Sequence, residues 1–412
     1  MTRARITRRR LLGVVGAAGA AGALAAITGC KGKGEGGQPG SGSAGSASTG
    51  GNRVKVGVVV PQAGVYAPLG TDMLRAWELW LANRGGKLGK YEVSTVVADE
   101  GETPQSGVPA IQKLLQNDKV DIVVGIVSSA VALGAKDLVA EAKKLLVVAN
   151  AGAGAITGAP SPYIWRTSFT NAQVSAVMGK HLAGLASAGP VYLIAPDYAA
   201  GTEVIRGFKT TFEAGGGTIA GEAKPAFGKT QDYQPFLAGI QASGAKAAFC
   251  FFSGAEAVAF VKQYAQFGLS AQIPLYGSGF LTEGSVLVAQ GDAAVGIQTT
   301  LHYSTELDNP ANKQLVSAWQ GKFGAAPAVF SVQMWDAANV LDRALAITTG
   351  LDGDSLAKAM GSVGTIEDSP RGPWRFEGQS PKQKFYLRKV EKRDSGYVNA
   401  VVADLGEISP IA

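Results

Sequence analysis

The chain has 412 residues, 46% of them hydrophobic and 17% charged, with 38 basic against 32 acidic side chains. Five arginines stand before residue 30, which leaves 33 against 32, so the basic pI gives no support for nucleic-acid binding. The two cysteines, Cys30 and Cys250, exclude an internal disulfide framework, and the two histidines have no metal-ligand spacing around them.

Residues 1–29 read as a processing segment: Arg3, Arg5, Arg8, Arg9 and Arg10 precede an Ala/Gly-rich apolar run that ends in Ile27-Thr28-Gly29-Cys30. A transmembrane anchor needs about 20 strongly apolar residues, and this run is shorter and weakly hydrophobic. Thr7-Arg8-Arg9-Arg10-Leu11-Leu12 resembles a twin-arginine export signal; an ordinary secretion signal is the alternative. The run ending at Cys30 resembles a bacterial lipobox, which implies that Cys30 is lipidated. Residues 31–51 are a Gly/Ser tether with almost nothing to bury.

About 360 residues follow, enough for two α/β lobes. The first predicted strand is Arg53–Val60, broken by Pro61 into a turn-rich loop. A helix over 71–84 carries Leu74, Trp77 and Leu81 on one face, and Gly85 and Gly86 end it. A strand over 91–98 and a helix from Thr103-Pro104 follow. The apolar run 120–127, VDIVVGIV, is short and rich in β-branched residues, which predicts a buried strand. Ser128 and Ser129 interrupt it, a helix follows, then a second strand LLVVA and the loop Asn150-Ala151-Gly152-Ala153. This βαβ unit places both loops at one carboxyl edge of a parallel sheet, where ligands usually sit. A small-molecule cleft around Ser128, Ser129 and Ala130 and around 150–153 is therefore the first expectation.

The rhythm restarts with a strand at 191–195, a loop at 196–201, and helices near 203–214, 233–242 and 256–267 that alternate with strands near 217–222, 247–252 and 274–276. Cys250 falls in an apolar run and reads as core. A strand at 294–300 and helices near 311–323 and 331–348 have no sheet of their own and are assigned to the first lobe. The tail from Trp374 to Ala403 reads as short antiparallel strands.

These residues resemble the periplasmic type I solute-binding proteins, specifically the branched-chain amino-acid (Leu/Ile/Val) binding family of ABC importers. The resemblance spans about 53–403 and rests on an ordered set: VKVGVVVPQAGVYAPLG, LANRGGKLG, QKLLQNDKVDIVVGIVSSA, WRTSFTNAQ, YAAGTEVIRGFKTTFEAGGG, DYQPFLAGIQASGAKAAFCFFSG and FVKQYAQFGL. It implies an α/β fold of two Rossmann-like lobes joined by three crossover segments, near 168–171, 279–282 and 360–365. Lobe 1 would comprise 52–170 with 281–361, and lobe 2 would comprise 171–280 with 362–412. It also implies a monomer that closes on a solute, most simply an amino acid, and delivers it to an ABC permease at the membrane, with no cofactor.

Carried onto this chain, the family pattern places the solute carboxylate at Ser128 and Ser129, although Ser129 could simply cap the following helix. Relatives offer a hydroxyl near 150–153; here Asn150, Ala151, Gly152 and Ala153 lack it, and Asn150 supplies a polar group or only a turn. Tyr198 matches an aromatic laid over the solute. Glu256 falls near an acid that pairs with a solute ammonium, or is a favourable first-turn helix acid. Tyr66, Leu69 and Phe280 are candidate walls, whereas Phe252 reads as core. No nucleophile, base and metal set converges, so an enzyme is not expected. The altered 150–153 loop keeps amides, urea-like solutes and aromatic acids open as alternatives, alongside a ligand-sensing or protein-interaction lipoprotein of the same fold.

Overall fold

A computed structural model of the chain describes residues 52–158, 161–185 and 189–411. Residues 1–51, on which the expected export segment, Cys30 and the tether fall, lie outside the described residues. The first sheet contains β1 (Arg53–Val60), β2 (Lys87–Leu88), β3 (Tyr91–Asp99), β4 (Ile122–Gly125), β5 (Leu145–Val148) and β6 (Ile164–Arg166), in the order β2-β3-β1-β4-β5-β6. Only β2 runs antiparallel to its neighbour. Side chains alternate across the sheet. Val54, Val56, Val58, Ile122 and Val124 join one core cluster, while Val59, Val123, Leu146 and Val148 join the cluster on the opposite face. Both faces are covered, which is why these strands read as continuous apolar runs.

Helix α1 (Ala67–Asn83) buries Leu69, Met73, Ala76, Trp77 and Trp80 along one stripe. It begins four residues before the predicted start because Pro68 is tolerated in a first turn. Helices α2 (Pro104–Gln116) and α3 (Ser129–Glu141) cover the other face, and the short α4 (Ala155–Gly158) follows β5.

The second sheet contains β7 (Val191–Ile194), β8 (Ile219–Ala223), β9 (Ala247–Cys250), β10 (Leu275–Ser278), β11 (Gln298–Leu301), β12 (Arg375–Glu377), β13 (Ser380–Arg393) and β14 (Gly396–Ile408). Its order is β12-β13-β11-β10-β9-β7-β8, with β14 paired to β13. Helices α5 (Asn171–Ala183) and α6 (Ala199–Ala214) lie on one face, and α7 (Gln234–Ala242), α8 (Gly254–Gln266) and the short α9 (Ser285–Gln290) lie on the other. Cys250 is fully buried core in the second cluster. Helices α10 (Pro310–Phe323), α11 (Val329–Ile347) and α12 (Gly353–Met360) return to the first lobe, where α11 packs along α1.

Two expectations need correction. The strand assigned to lobe 1 belongs to the second sheet: β11 pairs in parallel with β10 and antiparallel with β13. The second crossing therefore falls at 302–309, after β11, and not at 279–282. A four-residue strand has no periodicity that reveals its sheet; its partners on both sides decide it. The tail strands are also longer than expected, a hairpin of 14 and 13 residues.

The crossings are pinned by buried charge. Arg371, on the stretch after α12, pairs with Asp336 of α11 at 2.9 Å and donates to the carbonyls of Ser168 and Thr167 and to Gln383. Arg388 of β13 pairs with Glu283 and donates to the carbonyls of Tyr303 and Gly279. The other Glu283 oxygen accepts from the Val329 amide at the start of α11, tying the second sheet's layer to the first lobe. His302 is fully buried, and burial followed by the charges of Arg371 and Arg388 pushes its pKa well down, keeping it neutral.

Candidate ligand-binding cleft

In the first sheet β1 lies between β3 and β4, and in the second β7 lies between β8 and β9. The order reverses at these strands, and the loops leaving their carboxyl ends diverge and leave a crevice. The two crevices face each other. The space between them is nearly closed, with a cavity of about 20 Å³, room for little more than one water. The lobes meet at its rim: the hydroxyls of Tyr66 and Tyr198 are 2.8 Å apart, and the Ala255 amide donates to the Val65 carbonyl at 3.3 Å. Phe227 stacks on Tyr198 at 4.5 Å and contacts Tyr66 at 5.5 Å, so a lobe 2 loop closes over this contact.

The wall from lobe 1 is built on a strained turn. Gly125 has φ 124°, and a Cβ there would lie 2.1 Å from the Val59 carbonyl, so only glycine fits. Ile126 follows at φ 67°, a conformation that is costly for a β-branched residue. Its amide donates to Val59 O at 2.8 Å and its carbonyl accepts from Ala151 at 2.9 Å, which fixes this turn against the 150–153 loop. Glu100, fully buried after β3, supports the turn from below by accepting from the amides of Val127 at 2.8 Å and Ser128 at 2.5 Å. Burial outweighs those two bonds and pushes the Glu100 carboxyl up to about 8. Ser128 caps α3 by accepting from the Val131 amide, and Ser129 accepts from the Ala153 amide at 3.1 Å. The Ser129 proton thus stays available to a solute.

Two properties define the cleft. Among the described residues six aromatic rings line it, from Tyr66, Phe169, Tyr198, Phe251, Phe280 and Phe330, while no Asp, Glu, Lys or Arg does. Burial raises both tyrosine pKa values, and their mutual hydrogen bond adds to the rise at Tyr66 while opposing it at Tyr198, so the phenols stay neutral. Residues at the amino ends of α1, α3, α5, α6, α8 and α11 all reach the wall. First-turn amides lack intrahelical partners, and each helix start carries about half a positive charge. The cleft thus brings the partial positive charge of helix starts beside apolar rings.

Of the residues singled out in the sequence, Tyr66, Leu69, Ser129, Asn150, Gly152, Tyr198 and Phe280 line the cleft. Ser128, Ala151 and Ala153 stand behind the wall and hold the loops through the bonds above, and Ala130, in the first turn of α3, does not line the cleft. Glu256 does not reach the wall: its carboxylate turns to the Gly228 amide at 2.8 Å, and burial pushes it up to about 7. Phe252 is core, as read. Sequence reasoning missed Phe169, Phe251, Ser253, Asn171 and Phe330. Phe251 was accessible from strand parity, since it points opposite to Phe252. Ser253 caps α8 by position, yet its hydroxyl is buried without a hydrogen-bond partner.

The profile of the Periplasmic binding protein family matches residues 53–396. The chain belongs to this family of solute-binding proteins. A relative from Brucella melitensis, Leu/Ile/Val-binding protein homolog 6, is 31% identical to this binding protein, covering 83% of the chain and 89% of the relative. A solute-binding protein of an ABC transporter from R. palustris, solved in complex with benzoate, superposes with a TM-score of 0.79 at 34% identity, covering 87% of this chain and 98% of that one. A second, from Rhodopseudomonas palustris BisB5 in complex with 3,4-dihydroxybenzoic acid, gives 0.80 at 34%, covering 85% and 97%.

Proposed function

We propose that the protein is the extracytoplasmic solute receptor of an ABC importer and that its solute is an aromatic monocarboxylate. The observation that carries this reading is the pairing of an all-neutral, six-ring wall with the amino ends of six helices. A carboxylate finds the Ser129 hydroxyl and first-turn amides, and a flat ring finds stacking partners on several sides. An α-amino acid would bring an ammonium into a cleft with no carboxylate on its wall, an uncompensated charge in a drying site. The proteins solved with benzoate and 3,4-dihydroxybenzoic acid support the same choice. Ser253 offers a buried, unpartnered hydroxyl to a second polar group on the ring.

The lobes, drawn as 52–170 with 302–361 and 171–301 with 362–411, close as two bodies about the pinned crossings. Cys30, lipidated, and the 31–51 tether hold the body at the membrane, where a permease receives the solute. Calorimetric titration with benzoate, 4-hydroxybenzoate and leucine tests the solute. Saturable binding of the aromatic acids without leucine binding is expected; leucine binding alone refutes the reading. Replacing Cys30 by Ser should release the protein from the membrane fraction, and retention there would refute the anchor.

A further inference from the structure

Glu203 is the fifth residue of α6 and does not line the cleft. One of its carboxylate oxygens accepts from two donors: the Gly154 amide at 3.1 Å and Asn171 Nδ2 at 3.0 Å. Gly154 belongs to lobe 1, directly after the 150–153 loop, whereas Asn171 opens α5 of lobe 2. The loop is held from its other side by Arg166, fully buried, which donates to the carbonyls of Ala151 and Ala153 at 3.4 and 2.7 Å. Glu203 also attracts this guanidinium, offsetting part of the burial that lowers the Arg166 pKa.

We propose that Glu203 is a positioning residue for lobe closure, tying Gly154 of lobe 1 to Asn171 of lobe 2 and so holding the cleft shut over a solute it does not touch. When the lobes part, the carboxylate exchanges the Gly154 amide for water. The bond therefore favours only the closed state, and a solute that needs closure gains apparent affinity from it. The aromatic-acid reading supplies only the probe for this claim. A wild-type chain that ignores 4-hydroxybenzoate counts against that reading alone, and leucine then becomes the probe.

The test compares wild type, Glu203→Ala and Glu203→Gln in the full chain. Solute association and dissociation are followed by stopped flow, and protection of the Gly154 amide by hydrogen exchange. A hydrogen bond to a charged group is worth about tenfold in affinity. Glu203→Ala should raise Kd by about that factor through faster dissociation, with the association rate and the ligand-free melting midpoint unchanged. Glu203→Gln, which keeps an acceptor but not the charge, should fall between. The Gly154 amide of the solute-loaded protein should lose protection in Glu203→Ala. Wild-type dissociation in Glu203→Ala would overturn the proposal. So would a weakened affinity accompanied by an equal fall in the ligand-free midpoint, since that marks a purely structural role.

Discussion

The hinge and the cleft both lie between the lobes, yet they treat buried polarity in opposite ways. At the hinge, Arg371 and Arg388 are at most 2% exposed, and each meets a carboxylate and several backbone carbonyls. Both formal charges there are paired, although Asp336 Oδ1 and Arg388 Nε are buried without a hydrogen bond. In the cleft no formal charge among the described residues lines the wall, and Ser253 buries a hydroxyl with no partner. The hinge pairs its formal charges within the protein, whereas the cleft keeps formal charge off its wall. A protein that must close on a solute and then release it needs that division.

The largest break comes at the hinge. Arg371→Met leaves Asp336 buried and unpaired, which costs about 3–5 kcal/mol; urea unfolding should show that loss. In the cleft the damage should fall on binding instead. Ser129→Ala removes a hydrogen bond to a charged group, worth about 1.5–3 kcal/mol, so affinity for benzoate should drop at least tenfold in calorimetry. Ser253→Ala should sharpen the contrast further. It removes an unpartnered hydroxyl, so ligand-free stability should hold or rise slightly. Affinity for ring-hydroxylated acids should fall by about 0.5–1.5 kcal/mol, with benzoate binding unchanged.

Stability also depends on pH. Burial raises the folded-state pKa of Glu100 to about 8 and of Glu256 to about 7, from 4.5. Between those values the folded chain holds protons that the unfolded chain has lost, so stability falls as pH rises. The ligand-free melting midpoint should be higher at pH 6 than at pH 8. Glu100→Gln should flatten that slope, and an unchanged slope would remove Glu100 as its source.

Much of the fold was legible because strands buried on both faces announce themselves. The runs RVKVGVVV, VDIVVGIV and LLVVA each fall on a strand of the first sheet, and the loops after them carry Tyr66, Ser129 and Asn150 to the cleft. The sheet to which β11 belongs was not legible, because four residues carry no signal of their neighbours. The support that Glu100 gives the turn was not legible, since sequence does not show that two backbone amides will meet its carboxylate. Glu256 was placed by resemblance, and its bond to Gly228 depends on how the 226–230 loop folds back, a long-range fact. Phe169 and Phe330 reach the cleft from a crossing and from a returning helix, contacts that no local pattern records.

The central claim is that a neutral aromatic wall with converging helix starts selects an aromatic carboxylate over an α-amino acid. Competition calorimetry on the refolded, solute-free chain tests it most directly, with 4-hydroxybenzoate titrated in the presence and absence of excess leucine. The account predicts a saturable aromatic-acid isotherm that leucine leaves unmoved. An isotherm for leucine alone, or leucine displacing the aromatic acid at equal concentration, would contradict it.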